Sequence, residues 1–213
     1  MIAVEAQARA WLRDLPCCDA LAMEQLERLV AMLREENERQ NLVSRASLEE
    51  VWRRHIVDSA QLLNNVPRET SGPWMDLGSG AGFPGMVAAI LRSDDPVWLV
   101  ESRNRRIDWL NRVRDSLALT NVEVIGERLE TVADRKAAII SARAFAPLDK
   151  LLDLSARFST IATHWLLPKG ASAQHELDTL RGWKHMFHVE QSLTDPQAGI
   201  IVGQLRGRKA KTS

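Results

Sequence analysis

Ten residues, Asp76-Leu77-Gly78-Ser79-Gly80-Ala81-Gly82-Phe83-Pro84-Gly85, follow a short apolar run and lead into a helical pattern. Glycine at such a strand-to-helix turn lets the main chain pass close beneath a ligand, as in nucleotide-binding α/β proteins. Two registers fit: Gly78, Gly80 and Gly82 give G-x-G-x-G, while Gly80, Gly82 and Gly85 satisfy the dinucleotide pattern G-x-G-x-x-G. Asp76 separates them, because a carboxylate there repels a pyrophosphate but can accept from, or pair with, the ammonium of a methionine moiety. The cofactor so indicated is S-adenosyl-L-methionine. Glu101 ends the next apolar run ~20 residues on, where a carboxylate can accept both ribose hydroxyls of an adenosine. The alternatives are a tightly packed turn for the loop and an exposed helix cap for Glu101. A short-chain dehydrogenase would need a tyrosine acid, and the chain contains no tyrosine.

The elements that must position these groups are visible in the periodicity. From Ala20 to about Asn41 apolar residues including Leu21, Leu26, Leu29, Val30 and Leu33 recur at helical spacing. Ser47 and Glu50 form an S-x-x-E capping box, which predicts a second helix from there to about Leu63 with Val51, Ile56, Ser59, Leu62 and Leu63 inward. On that helix His55 and Asp58 lie three apart, on one face, able either to hydrogen-bond each other or to hold a ligand. After Pro73 the pattern alternates short apolar runs (74–77, 97–100, 122–125, 137–140, 163–167) with crossover-length helical segments (83–92, 103–119, 148–158, 172–180). That is the signature of βαβ units and a doubly wound, mostly parallel sheet. Runs at 183–189 and 200–205 predict an antiparallel edge hairpin, and the basic tail 206–213, with Arg206, Arg208, Lys209 and Lys211, is expected to be disordered. The expected division is a helical region over 1–70 packed on an α/β domain over 71–205.

Composition bounds the rest. The chain has 213 residues, with Lys+Arg and Asp+Glu both 28, so net charge does not advertise a nucleic-acid partner and any such contact rests on local patches. Arg103, Arg105, Arg106, Arg112 and Arg114 crowd one predicted helix and fit either a solvated face or such a patch. The seven tryptophans fall mostly within apolar patterns and are expected in the core. Cys17 and Cys18 are adjacent, poorly placed for a mutual disulfide and without zinc-site spacing, which predicts a cytoplasmic setting and no metal. No uncharged apolar run approaches the ~18 residues of a membrane span.

Several segments together resemble the bacterial small-subunit rRNA guanine-N7 methyltransferase family, called RsmG or GidB. They are Asn41-Leu42-Val43-Ser44, Arg54-His55-Ile56-Val57-Asp58-Ser59, the loop from Asp76 to Gly85, Glu101-Ser102, Ser141-Ala142-Arg143-Ala144-Phe145-Ala146 and Leu167-Pro168-Lys169-Gly170, in family order across nearly the whole chain. Ala142 and Pro168 depart slightly from the usual pattern. The resemblance implies a class I S-adenosylmethionine methyltransferase fold with an antiparallel last strand. It also implies that Gly78 and Phe83 line the cofactor site, with Leu129 and Glu130 beside the adenine and Arg143 near the methionine end. The implied partner is 16S rRNA or a small-subunit precursor, bound by a monomer, with His55, Asp58, Arg143 and Lys169 as candidate substrate contacts. Arg143 and Lys169 would grip RNA phosphate or the cofactor carboxylate, and Arg45, Arg53 and Arg54 could extend an RNA surface with the tail. Competing expectations are a small-molecule methyltransferase and a catalytically silent, cofactor-binding RNA or ribosome-binding protein.

The two glycine registers make opposite predictions in a thermal melt. S-adenosylhomocysteine at a hundredfold excess over Kd should raise the melting temperature by roughly 5–10 °C, and a nicotinamide dinucleotide should leave it unchanged. The reverse pattern would restore the dinucleotide register.

Overall fold

In the N-terminal region, Asp19 accepts the N–H of Ala22 at 2.8 Å and so starts α2 (Ala20–Asn37), which follows α1 (Glu5–Arg13). Leu26, Leu29, Val30 and Leu33 turn inward as their spacing predicts, but Leu21 in the first turn is 62% exposed, and Ala22 and Met23 are buried in its place. A computed structural model describes residues 1–210.

The expected capping box does not form. Ser44 rather than Ser47 caps α3 (Arg45–Glu49), accepting the Ser47 N–H at 3.2 Å, and Glu50 sits at the helix end with its carboxylate on Arg53. Ser47 is diverted because its hydroxyl donates back to the Ser44 carbonyl at 2.9 Å and meets the His55 ring. The chain then continues as a π-helical turn (Trp52–Val57), α4 (Asp58–Ala60) and a 3-10 turn (Gln61–Asn65). The backbone N–H groups of Trp52 and Arg53 donate to Glu5, so α1 supplies the anion at this interrupted start.

The α/β region has β1 (Trp74–Leu77), α5 (Gly85–Leu91), β2 (Val97–Val100), α6 (Asn104–Ser116), β3 (Val122–Ile125) and β4 (Ile139–Ala142). It continues through α7 (Leu148–Ser155), β5 (His164–Gly170), α8 (Ala173–Thr179), β6 (Trp183–His185), β7 (His188–Gln191) and β8 (Gly199–Arg208). The strand order is β3-β2-β1-β4-β5-β8-β6, with β7 also on β8; β1 to β5 are parallel and β8 is antiparallel to β5. β1 and β4 are buried at every residue, as parallel strands covered on both faces must be. One face packs Trp74 and Leu99 against α5, α6 and the N-terminal helices, including Leu12, Leu26 and Leu33; the other packs Met75, Leu77 and Trp165 against α7.

At the C-terminal end the expected antiparallel edge hairpin forms, with β6 and β7 in tandem along one side of a long β8 whose other side pairs with β5. The switch from β7 to β6 falls at Gly203 (φ +137°), where a Cβ would stand 2.4 Å from the Met186 carbonyl oxygen. The tail does not begin at residue 206: β8 runs to Arg208, whose guanidinium lies 4.2 Å from the centre of the Trp183 ring. Lys211 lies outside the described residues. No helix among those described is long and apolar enough to cross a membrane.

At the start of α5, a Cβ on Gly85 would stand 2.3 Å from Leu99 Cδ2 and 2.9 Å from Asp76 Cβ. Gly85→Ala should therefore lower the unfolding free energy in urea by about 1–3 kcal/mol, the range for overpacking a filled interior. Wild-type stability would show that α5 can lift off β1 freely.

Candidate functional site

Leu77, Val100, Ile125 and Ala142 are brought level by the parallel register. The loops that follow them open side by side at the carboxyl edge of the sheet, where strand order reverses between β1 and β4. A crevice of about 340 Å³ lies there, lined by Gly78, Gly80, Phe83, Glu101, Leu129 and Arg143. Gly78 and Gly80 have φ of +68° and +56°, and a Cβ on Gly78 would meet the Phe145 ring at 2.5 Å. Glu101 is buried: Oε1 accepts the backbone N–H groups of Ser102 (2.7 Å) and Arg103 (2.9 Å), and Oε2 accepts that of Gly80 (3.0 Å). It thus holds the turn leading into α6 and supports the glycine loop.

Two expected members of the crevice stand elsewhere. Asp76 is fully buried beneath the loop, with Oδ1 accepting from Ser141 Oγ at 2.7 Å and Oδ2 from the Gly85 N–H at 3.2 Å. Burial pushes its carboxyl up, opposed by these hydrogen bonds and by the Arg143 charge. The side chain holds the loop from below and does not reach the crevice wall, because the pleat turns it toward α5. Glu130 is exposed beside Arg128 at 3.6 Å; Leu129 turns inward instead, and the nearby acid on the wall is Glu127.

A second cavity, of about 680 Å³, adjoins the first, and Arg143, Ala144 and Phe145 line both. His55, Asp58 and Lys169 are on its walls, so the structure brings all four candidate substrate contacts to one place. Arg143 joins the helical region to the sheet: Nη1 lies 3.4 Å from Asp58 Oδ2, Nη2 donates to His55 Nδ1 at 3.3 Å, and Cζ stands 5.4 Å above the Phe83 ring. His55 also stacks on Phe83 at 5.0 Å. Since a guanidinium only donates, Nδ1 of His55 is the acceptor and Nε2 carries the proton, donated to Ser47 Oγ at 3.0 Å. Asp58 does not bond His55; its Oδ1 accepts from Thr194 (2.8 Å) and Gln61 (2.9 Å). Lys169 is not a free cation, because its Nζ is 2.9 Å from Glu176 and donates to the Ala146 carbonyl at 2.6 Å. Against the upward push of burial, hydrogen bonds from Lys169 and Ser172 hold the Glu176 carboxyl below its ordinary range.

Of the arginines, Arg112 pairs with Glu36 (2.7 Å), Arg114 with Asp115 (2.8 Å) and Arg53 with Glu50 (2.5 Å). Arg45, Arg103 and Arg105 are exposed and form no ion pair among the described residues. The tryptophans are buried or half-buried, as their patterns predict.

Residues 22–195 match the model of the family described as GidB, rRNA small subunit methyltransferase G. The chain belongs to this family. The ribosomal RNA small subunit methyltransferase G of Novosphingobium aromaticivorans is 61% identical over 211 residues, covering 98% of this chain and 91% of that protein. That of Erythrobacter litoralis is 60% identical over 213 residues, covering all of both. Among solved structures, a SAM-dependent methyltransferase from Aquifex aeolicus matches with a TM-score of 0.57 and 13% identity, covering 83% of this chain and 97% of that one, which shows the class I methyltransferase fold.

The crevice of this GidB chain fits S-adenosyl-L-methionine: positive-φ glycines leave space beside the Phe145 ring, a buried carboxylate stands at the end of β2, and its volume lies within the range of small-ligand sites. In the sequence Leu42, Val43 and Glu127 carry no individual role, Ser47 is marked as a helix cap and Arg106 as one of a cluster of arginines, yet all five line one of the cavities. The first two lie in the quoted Asn41–Ser44 segment, but nothing local indicates that it crosses to the sheet edge.

Burial, and then the charges of Arg143 and Arg54, bring His55 down to about 3, so it is neutral at ordinary pH. The unfolded imidazole titrates near 6.5, so folding must exclude a proton that the unfolded chain binds between about 6.5 and 3. His55 thus favours the native state fully above about 6.5 and progressively less as pH falls to about 3. Urea unfolding of wild type and His55→Gln should show the wild type losing about 1 kcal/mol more per pH unit between pH 6 and 4. Parallel pH profiles would mean that His55 takes up its proton while buried.

Proposed function

We propose that this chain transfers a methyl group from S-adenosyl-L-methionine to N7 of a specific guanine in 16S rRNA, presented as free RNA or in a small-subunit precursor. The observation that carries this reading is the pair of cavities divided by the Arg143–Phe145 segment. The smaller has the glycine loop and Glu101 suited to the cofactor, and the larger has room and polar groups for a purine.

When bound, the cofactor supplies an electrophilic methyl on sulfur. Guanine N7 carries an in-plane lone pair and no proton, so no residue need act as a general base, and the work of the protein is in-line positioning. Gly78 and Gly80 would let the main chain approach the cofactor, Glu101 would accept from its ribose, and Phe83 and Leu129 would supply apolar wall. Asp76 would act from beneath by holding the loop. Neutral His55, fixed by Ser47 and Arg143, would offer a flat ring edge to the base, and Asp58 would stabilise the cationic ring that methylation leaves. Arg143 would set the separation of the two sites, while Lys169 braces the far wall through Glu176.

Exposed Arg45, Arg54, Arg103 and Arg105 would meet RNA phosphate, giving a local basic surface on a chain of zero net charge. We further propose that the protein works as a monomer on ribosomal RNA in the cytoplasm.

The test is transfer of labelled methyl from S-adenosylmethionine to ribosomal RNA from cells lacking this protein, followed by mapping of 7-methylguanine. One modified guanine in the small-subunit RNA is the expected result. No transfer to free RNA or precursor particles by protein that binds S-adenosylhomocysteine would overturn the substrate assignment.

A further inference from the structure

Arg106 lies in the first turn of α6, half-buried on the wall of the cofactor crevice. Its Nη2 donates to the Asn41 carbonyl at 2.5 Å, but Nη1 is buried without a partner among the described residues. A buried guanidinium donor with no acceptor is rare, because desolvation is then uncompensated.

The carbonyl held by Nη2 begins a strap. Asn37, the last residue of α2, accepts the N–H groups of Leu42 (2.9 Å) and Val43 (3.0 Å) through Oδ1, and both residues line the crevice. Gln40 adds a donor to the Arg105 carbonyl at 3.2 Å. Part of the crevice wall therefore comes from the N-terminal helical region, pinned to the α/β region by α6.

We propose that Arg106 is a cofactor-positioning residue that holds the strap Asn41–Val43 beside the crevice and offers its free Nη1–H to a neutral acceptor on the adenosyl group, a ribose oxygen or a ring nitrogen. This rests on the crevice being the S-adenosylmethionine site. A guanidinium carries five N–H donors in a fixed plane, so it serves a main-chain carbonyl and a second acceptor at once; an ammonium on a flexible stem lacks that preset geometry. Glu101 and Arg106 then divide the recognition, one accepting and the other donating.

Calorimetric titration of S-adenosylhomocysteine into wild type, Arg106→Met, Arg106→Lys and Asn37→Ala tests the assignment. Asn37→Ala loosens the strap but leaves the guanidinium in place. Binding should weaken about tenfold or more in Arg106→Met, by an intermediate factor in Arg106→Lys, and less than about threefold in Asn37→Ala. Wild-type affinity in either Arg106 variant would overturn the proposal. A loss in Asn37→Ala equal to that in Arg106→Met would overturn the donor assignment, since the strap alone would then account for the effect. Failure of the wild type itself to bind would remove the crevice as the cofactor site.

Discussion

The carboxylate of Asp76, sealed from solvent under the glycine loop, is the constraint on which the site is built. A buried carboxylate that loses its donors is strongly destabilising, so each of its partners becomes fixed in turn. Ser141 must stand opposite on β4 with its hydroxyl turned to Asp76, and it can do so because the Trp74 indole N–H donates to that same oxygen at 2.8 Å. The Gly85 amide must come within reach from the start of α5, which forbids a side chain there. One acid thus ties β1, β4 and α5 together where the strand order reverses, directly beneath the glycine loop.

Outside that knot, the ligand-facing groups are held by contacts between regions distant in sequence. Arg143 leaves the sheet to meet His55 and Asp58, and Arg106 leaves α6 to meet Asn41. The helical region is therefore part of both cavities and not merely a cover for the sheet. Its irregular stretch, α3 broken at Glu50 and followed by a π turn, directs His55 inward and leaves Arg54 exposed.

The legibility of these features in the sequence follows the range of the interactions involved. The parallel core, the glycine loop and Glu101 could be read because period, turn chemistry and the strand-to-acid spacing are local. For Asp76 the residue type is visible in the sequence, whereas the side of the pleat it faces depends on where α5 packs. The surroundings of Lys169 and Glu130 are set at the same long range, one paired with Glu176 from α8 and the other turned outward where Leu129 takes the inward position. The capping box failed because Ser47 had a competing partner eight residues on, in His55. Nothing local to Leu42, Val43 or Arg106 indicates that they meet at the crevice, since a strap is defined by what lies across from it.

The segment Arg143–Phe145 forms a wall common to both cavities, and Ala144 within it adopts φ +52°, outside the regions that alanine prefers. Arg143, Ala144 and Phe145 face both chambers, so any displacement of this segment changes the shape of both. An occupant of one chamber that moves it would be energetically linked to an occupant of the other. By thermodynamic reciprocity, whatever factor the presence of one contributes to the affinity of the other is returned in equal measure.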